Sequence, residues 1–312
     1  MMIMMSYRVK QFRFILGWCL NIFFLCSSHT AFANDTDLTS ELKPEDAQLN
    51  NKKKLTNTSV INIQKESNEA NNQYHSPPAE SQIPHDKYGD DVRLGQKIFT
   101  QTTEYASRYS GNKLNCSNCH MDAGRRPHSA PLWAAYGMYP AYREKNDRNS
   151  TLEERIQECF RFSLNGLSPA LDAPEIRALV SYMHFLSQGV PIGIEMPGRG
   201  YPQIIKTGRD PNPQRGAKIY NAKCSFCHGT DGEGKIGGDG KQIFPPLWGI
   251  NSYNKGAGLA KNNLLAGFIK ANMPLGQEWT LSDQEALDLA AYINLQIRPW
   301  DPRKGMIKGL FE

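Results

Sequence analysis

The pentapeptides Cys116-Ser117-Asn118-Cys119-His120 and Cys224-Ser225-Phe226-Cys227-His228 constrain this chain more than any other feature. Cys-x-x-Cys-His is the attachment signature of c-type haem. Two thiols at that spacing form thioethers to the vinyl groups, and the adjacent imidazole is held under the iron as its proximal ligand. Cys116, Cys119 and His120 are therefore expected to bind one haem c, and Cys224, Cys227 and His228 a second. One motif alone occurs in zinc and redox proteins. Two in a single exported chain, each inside the same helical frame, point to two covalently bound haems.

Export is written in the N-terminus. Arg8, Lys10 and Arg13 form a positive region, Phe14 to Leu25 is apolar, and Ala31-Phe32-Ala33 is a small-x-small cleavage site. Residues 1–33 read as a signal peptide, and the mature chain is expected to begin at Asn34 in the periplasm. The apolar stretch is too short to span a bilayer, so no membrane span is expected in the mature form. Removing the signal takes away three positive charges and no negative ones, lowering the formal net charge from +5 to +2. That balance does not describe a nucleic-acid binder. Residues 34–87 are polar and poor in large apolar side chains, and read as a disordered leader in which His75 and His85 are solvated.

The rest of the chain repeats. Gly95 precedes Phe99 by four residues before the first motif, as Gly216 precedes Tyr220 before the second. At helical spacing each pair shares a face, and the glycine lets another helix come close. Each half then ends in a helix. The first opens at Pro174, suited to a first turn, and the second at Ser282, which forms a capping box with Glu285. Helix, haem site, loops, distal ligand and C-terminal helix are the layout of a small cytochrome c. The expected fold is mainly α: two tandem class I cytochrome c-like domains, each with one covalent haem c. The first, residues 88–190, is the catalytic candidate, and the second, residues 213–298, the electron-transfer one. Residues 191–212 form a proline- and glycine-rich interdomain linker, and residues 299–312 a C-terminal tail that wraps back over the body.

The distal ligands decide what such a chain does. Met273, in Ala271-Asn272-Met273-Pro274, stands where a small cytochrome c carries its sixth ligand, with Met306 the weaker candidate. His/Met ligation raises the haem potential and suits electron transfer. The first half has no such methionine. It has Cys159, the one cysteine of the mature chain outside the two motifs, and an unpaired thiol in an oxidising compartment calls for an explanation. Thr151 and Glu154 form a capping box for a short helix, which Gly166 can end. Arg155, Cys159 and Ser163 then fall at successive i, i+4 positions, with a guanidinium one turn from the thiol favouring thiolate. The competing reading makes Cys159 a small buried hydrophobe. His128 and Met138 are competing ligands for the first iron. Met183 reads as core and His184 as a polar-face residue.

These residues carry a resemblance to the dihaem thiosulfate dehydrogenases, or tetrathionate synthases. It runs over roughly residues 90–300, through Asp122-Ala123-Gly124-Arg125, Pro131-Leu132-Trp133, Tyr136-Gly137, the Glu154-Arg155-Ile156 to Cys159-Phe160 segment, and Asn165-Gly166. In the second half it continues through Phe244-Pro245-Pro246-Leu247-Trp248-Gly249, Ser252-Tyr253-Asn254-Lys255-Gly256-Ala257-Gly258 and Asn272-Met273-Pro274. The Cys159 segment is its most specific part. The resemblance implies that two thiosulfates join to tetrathionate with release of two electrons, or the reverse. It implies His120/Cys159 ligation at the catalytic haem and His228/Met273 ligation at the second. Some members place a lysine beside that methionine, where this chain has Asn272.

Thiosulfate is a dianion, so bringing two together needs fixed cations. Arg155, Arg143 and Arg125 are the chosen candidates. Arg126, Lys145, Arg148 and Arg161 lie in the same region, interspersed with carboxylates that mark solvated faces. A thiolate ligand lowers the first haem's potential and methionine raises the second's, so electrons run outward to a small periplasmic acceptor such as a cytochrome c. Three other readings compete: a SoxA-like subunit of a sulfur-oxidising complex, a non-catalytic dihaem electron carrier, and a dihaem peroxidase.

Overall fold

Where the sequence predicts one helical layout used twice, the chain builds it twice. The computed structural model describes residues 74–144 and 147–304, all within one compact unit. Its helices are α1 (Lys87–Thr100), α2 (Leu152–Glu158), α3 (Pro174–Leu186), α4 (Pro213–Lys223), α5 (Asn262–Asn272) and α6 (Asp283–Leu295). Single helical turns, loops and two antiparallel hairpins make up the remainder. The hairpins pair β1 (Ala141–Arg143) with β2 (Arg148–Ser150), and β3 (Lys235–Ile236) with β4 (Gln242–Phe244). No helix among the described residues is long and apolar enough to cross a membrane. The expected signal, most of the leader, Lys145 and Met306 lie outside the described residues.

Each half is organised by one glycine. In the first, α1 crosses α3 so closely that a Cβ on Gly95 would stand 2.1 Å from the Ala178 carbonyl oxygen and 2.8 Å from Cβ of Tyr182. In the second, α4 meets α6 with Gly216 at 2.1 Å from the Asp288 carbonyl oxygen and 2.8 Å from Cβ of Tyr292. Phe99 and Tyr220, one turn on, are buried in the same seams. The helix ends obey local chemistry. Asp86 accepts the Gly89 N–H at 2.8 Å and Asn212 accepts that of Arg215 at 2.8 Å. Ser282 and Glu285 close their capping box, and Pro174 occupies the first turn of α3.

A buried carboxylate fastens the second seam. Asp288 on α6 accepts from Arg215 at 2.6 and 2.9 Å, from the Asn212 N–H at 2.7 Å and from Gln284 at 2.9 Å. Burial by itself raises this carboxyl, but Arg215, the Asn212 amide and Gln284 outweigh it, and its pKa lies below the ordinary value. A carboxyl with a depressed native pKa stabilises the fold above its unfolded value of about 4, and that contribution fades as pH falls through the native value. Thermal unfolding of Asp288→Asn is expected to show a lower Tm at pH 7 than the parent. The difference closes as the pH falls below about 4.

The leader is shorter than composition implies. From Tyr74 the chain packs on the first half: His75 donates Nε2–H to the Leu186 carbonyl at 3.1 Å, Arg125 donates to the Pro78 carbonyl at 2.8 Å, and Ile83 is buried. The expectation that residues up to 87 are disordered, and that His75 is solvated, is corrected accordingly. The few apolar residues of this stretch, Tyr74, Pro77, Pro78 and Ile83, were averaged away in a polar composition. His85 is exposed, as expected.

The linker is also structured. Gly198 and Gly200 accept the N–H groups of His128 and Ala130 at 2.7 and 2.9 Å, and Tyr201 donates its hydroxyl to the Cys119 carbonyl at 3.2 Å. Buried asparagines lock the halves together. Asn112 donates to the carbonyls of Ser163 and Ser252 at 2.9 and 3.0 Å, while Asn254 donates to the Arg161 carbonyl and the Asn165 side chain, both at 3.0 Å. The tail does fold back: the Lys255 N–H bonds the Pro299 carbonyl at 2.9 Å, and the Arg303 guanidinium lies 4.8 Å from the Phe162 ring centre.

Candidate active site

The helix that carries Cys159 is short and fixed at both ends. Thr151 accepts the Glu154 N–H at 3.3 Å, and Glu154 returns a bond to the Thr151 N–H at 2.9 Å. Arg148 clamps the same carboxylate at 2.9 Å. Leu152, Ile156 and Phe160 bury the apolar stripe. After Glu158 the helix widens into a π turn, Cys159–Ser163, a form found often at functional sites. Asn165, at φ 48°, makes the left-handed exit expected of Gly166. Gly166 answers a different need, because a Cβ there would stand 1.9 Å from the Tyr109 carbonyl oxygen.

A cavity of about 320 Å³ is lined by Cys116, Cys119 and His120 together with Arg155, Cys159 and Ser163. Apolar walls come from Phe99, Leu132, Leu179 and Met183. His120 Nδ1 lies 2.6 Å from the Ala130 carbonyl oxygen, which can only accept, so Nδ1 carries the proton and Nε2 keeps its lone pair. His228 is oriented in the same way by the Pro245 carbonyl at 2.9 Å. No disulfide joins any of the five described cysteines. An apolar cavity, a pair of thiols and an imidazole with Nε2 available fit a covalent haem.

Three thiols line this cavity, and their surroundings divide them. Burial pushes Cys116 and Cys119 up to about 12. Burial acts on Cys159 too, but it is opposed first by Arg155, and the thiol comes down to about 7. The Arg155 guanidinium donates to its Sγ at 3.3 Å and also pairs with Glu158 at 3.5 Å. The i, i+4 placement read from sequence is therefore present, and Cys159 sits where thiolate is accessible near neutral pH.

The other candidates separate. Arg143 reaches a second cleft of about 430 Å³, whose wall includes Arg155, Glu158 and Ser163. Arg155 and Ser163 thus border both spaces. Arg125 is turned to the Pro77 and Pro78 carbonyls at 3.4 and 2.8 Å, and does not line the Cys159 cavity. His128 is engaged by Tyr74 at 3.0 Å and edge-on by Trp279, and neither it nor Met138 lines that cavity. Met273 follows the last turn of α5, half-buried, beside Asn272, which donates to the His128 carbonyl at 3.1 Å. Met183, read as core, is buried and also faces the cavity. Arg199 and Gly200 of the linker line it too, and nothing local in the sequence marks them.

Comparison with known proteins agrees with this architecture. Residues 102–192 match the family model described as SoxA/TsdA, cytochrome c domain, and residues 211–293 match that of cytochrome c oxidase, cbb3-type, subunit III. The molecule is two cytochrome c domains, the fold that carries haem c. Thiosulfate dehydrogenase of Stutzerimonas stutzeri (strain A1501) is 48% identical over 80% of each chain. That of Thiomonas intermedia (strain K12) is 50% identical over 73% of this chain and 72% of its own. The solved "as isolated" form of thiosulfate dehydrogenase (TsdBA) from Marichromatium purpuratum superposes with a TM-score of 0.73 at 43% identity. The match covers 75% of this chain and 52% of that one, so this chain spans about half the length of that solved chain. With a cysteine-bearing first domain, a second cytochrome domain behind it, and relatives this similar across most of its length, the chain belongs to the thiosulfate dehydrogenase family.

Proposed function

We propose that this protein is a periplasmic dihaem cytochrome c that joins two thiosulfates into tetrathionate at Cys159 and delivers the two electrons to a small redox acceptor. The Arg155–Cys159 contact inside the first cavity carries the reading, and the names of the relatives support the substrate. His120 and Cys159 would hold the iron of a haem fixed by Cys116 and Cys119. His228 and Met273 would hold that of a second, fixed by Cys224 and Cys227. The haems, when bound, supply one-electron acceptors. Residues 1–33 direct export and are removed.

The chain's own chemistry is sulfur transfer. Arg155 keeps Cys159 as thiolate and neutralises an approaching dianion. A bond forms between Cys159 Sγ and the terminal sulfur of one thiosulfate as two electrons leave. The second thiosulfate attacks that terminal sulfur, the new sulfur–sulfur bond completes tetrathionate, and the Cys159 thiolate departs unchanged. Run backward, the same groups reduce tetrathionate.

Anaerobic addition of thiosulfate to the oxidised protein tests the proposal. Reduction of the haem c absorbance without any partner protein supports it, and its absence would favour a partner-dependent subunit of a sulfur-oxidising complex. Arg155→Gln is expected to lower kcat/KM for thiosulfate by about 10- to 100-fold, the size of one lost charge-assisted hydrogen bond, with haem content unchanged. Arg155→Lys recovers part of that loss.

A further inference from the structure

On the proposed function two thiosulfates are used at Cys159, yet among the described residues Arg155 is the one cation bonded to its sulfur. The second cleft supplies others, from an unexpected place. It shares Arg155 and Ser163 with the Cys159 cavity, and its far residues include Lys255 and Lys261 of the second cytochrome domain and Arg303 of the tail. Arg303 is held by Asp301, and of the first domain's two cations here Arg155 is shared with Glu158. Lys255 and Lys261 have no carboxylate partner among the described residues, and both are exposed. Their charge is available for an anion from solution.

Lys255 is not there by the chance reach of a flexible loop. On one side the fully buried Asn254 side chain bonds the Arg161 carbonyl and Asn165 of the first domain. Its own N–H is taken by Pro299 at 2.9 Å. On the other side Gly256 lies so close to Phe162 and Asp301 that a Cβ would stand 2.7 and 2.8 Å from them. Lys261 immediately precedes α5, whose N-terminal end has no side-chain cap and adds partial positive charge. The backbone that carries both lysines is therefore pinned at the cleft.

We propose that Lys255 and Lys261 form the second anion site: they hold the attacking thiosulfate, and in reverse the outer sulfonate of tetrathionate, in the cleft that shares Arg155 and Ser163 with the Cys159 cavity. The second cytochrome domain thus also completes the substrate site of its neighbour. This rests on the function proposed above.

The test compares the purified holoprotein with Lys255→Gln/Lys261→Gln in thiosulfate-dependent acceptor reduction. The double variant is expected to raise KM for thiosulfate at least about tenfold, equivalent to about 1.4 kcal/mol, with kcat changed less than about threefold. Its KM should also rise less steeply with salt. Lys255→Arg/Lys261→Arg should stay close to the parent. Lys87→Gln/Lys206→Gln, which removes the same charge from exposed sites outside the cleft, should match the parent KM. An active parent with unchanged KM and salt dependence in the glutamine variant would overturn the second site and leave the function standing. An inactive parent would overturn the function and this site with it.

Discussion

Cys159→Ala is expected to abolish thiosulfate oxidation, by a factor on the order of 10³ or more, while the protein retains its haem. Nothing else in the cavity can replace the sulfur. Cys116 and Cys119 belong to the attachment motif, where their sulfurs would be taken up as thioethers to the haem, whereas Cys159 lies at about 7 beside Arg155. The attachment residues Cys116, Cys119 and His120 are untouched by the substitution, so haem content and far-UV circular dichroism should match the parent. The absorbance of the oxidised first haem should change, because the proposed thiolate ligand would be lost. Cys159→Met separates ligation from chemistry: it offers a sulfur to iron but no thiolate, and is expected to be inactive. Substantial turnover in either variant would remove Cys159 from the reaction.

The second large effect is on folding. Gly95→Ala and Gly216→Ala are each expected to destabilise their own half by about 3 kcal/mol or more, at the severe end of overpacking substitutions. At both sites the added carbon would meet a backbone carbonyl oxygen at 2.1 Å and a tyrosine Cβ at 2.8 Å, so no side-chain rotation relieves the clash. The helices must move apart, opening α1 from α3 or α4 from α6. Urea unfolding followed by circular dichroism measures the loss, and the haem band shows which half has opened. Gly238, whose added Cβ meets nothing within 4 Å, is the control: Gly238→Ala should change stability by no more than about 0.5 kcal/mol. Equal stability of all three variants would mean that the helix seams are not as close as described.

What was legible in the sequence was local or repeated. The Gly95–Phe99 and Gly216–Tyr220 pairs announce a helix crossing because spacing and residue type suffice to define it. The capping boxes at Thr151 and Ser282 are four-residue signals, and both form. Arg155 reaches Cys159 because one helical turn separates them. Long-range packing was not legible. Tyr74 and His75 dock on His128 and Leu186, far along the chain, and composition alone hid them in a polar leader. The linker reads as punctuation because it is rich in proline and glycine, yet its glycine carbonyls support the loop after His120. Arg125 stood near the haem motif in sequence, but the docked segment at Pro77 and Pro78 claims its guanidinium. The π turn at Cys159–Ser163 has no spacing signature of its own. Nothing in the sequence sets Lys255 and Lys261 beside Arg155, because that placement depends on the tie Asn254 makes between the two domains.

Product stoichiometry tests the central claim most directly. Purified protein, thiosulfate and a one-electron acceptor such as ferricyanide are incubated without any partner, and tetrathionate and reduced acceptor are quantified together. One tetrathionate formed and two acceptor equivalents reduced for every two thiosulfates consumed is the predicted result. Sulfate or sulfite as the oxidised product, or no thiosulfate consumption, would contradict the account.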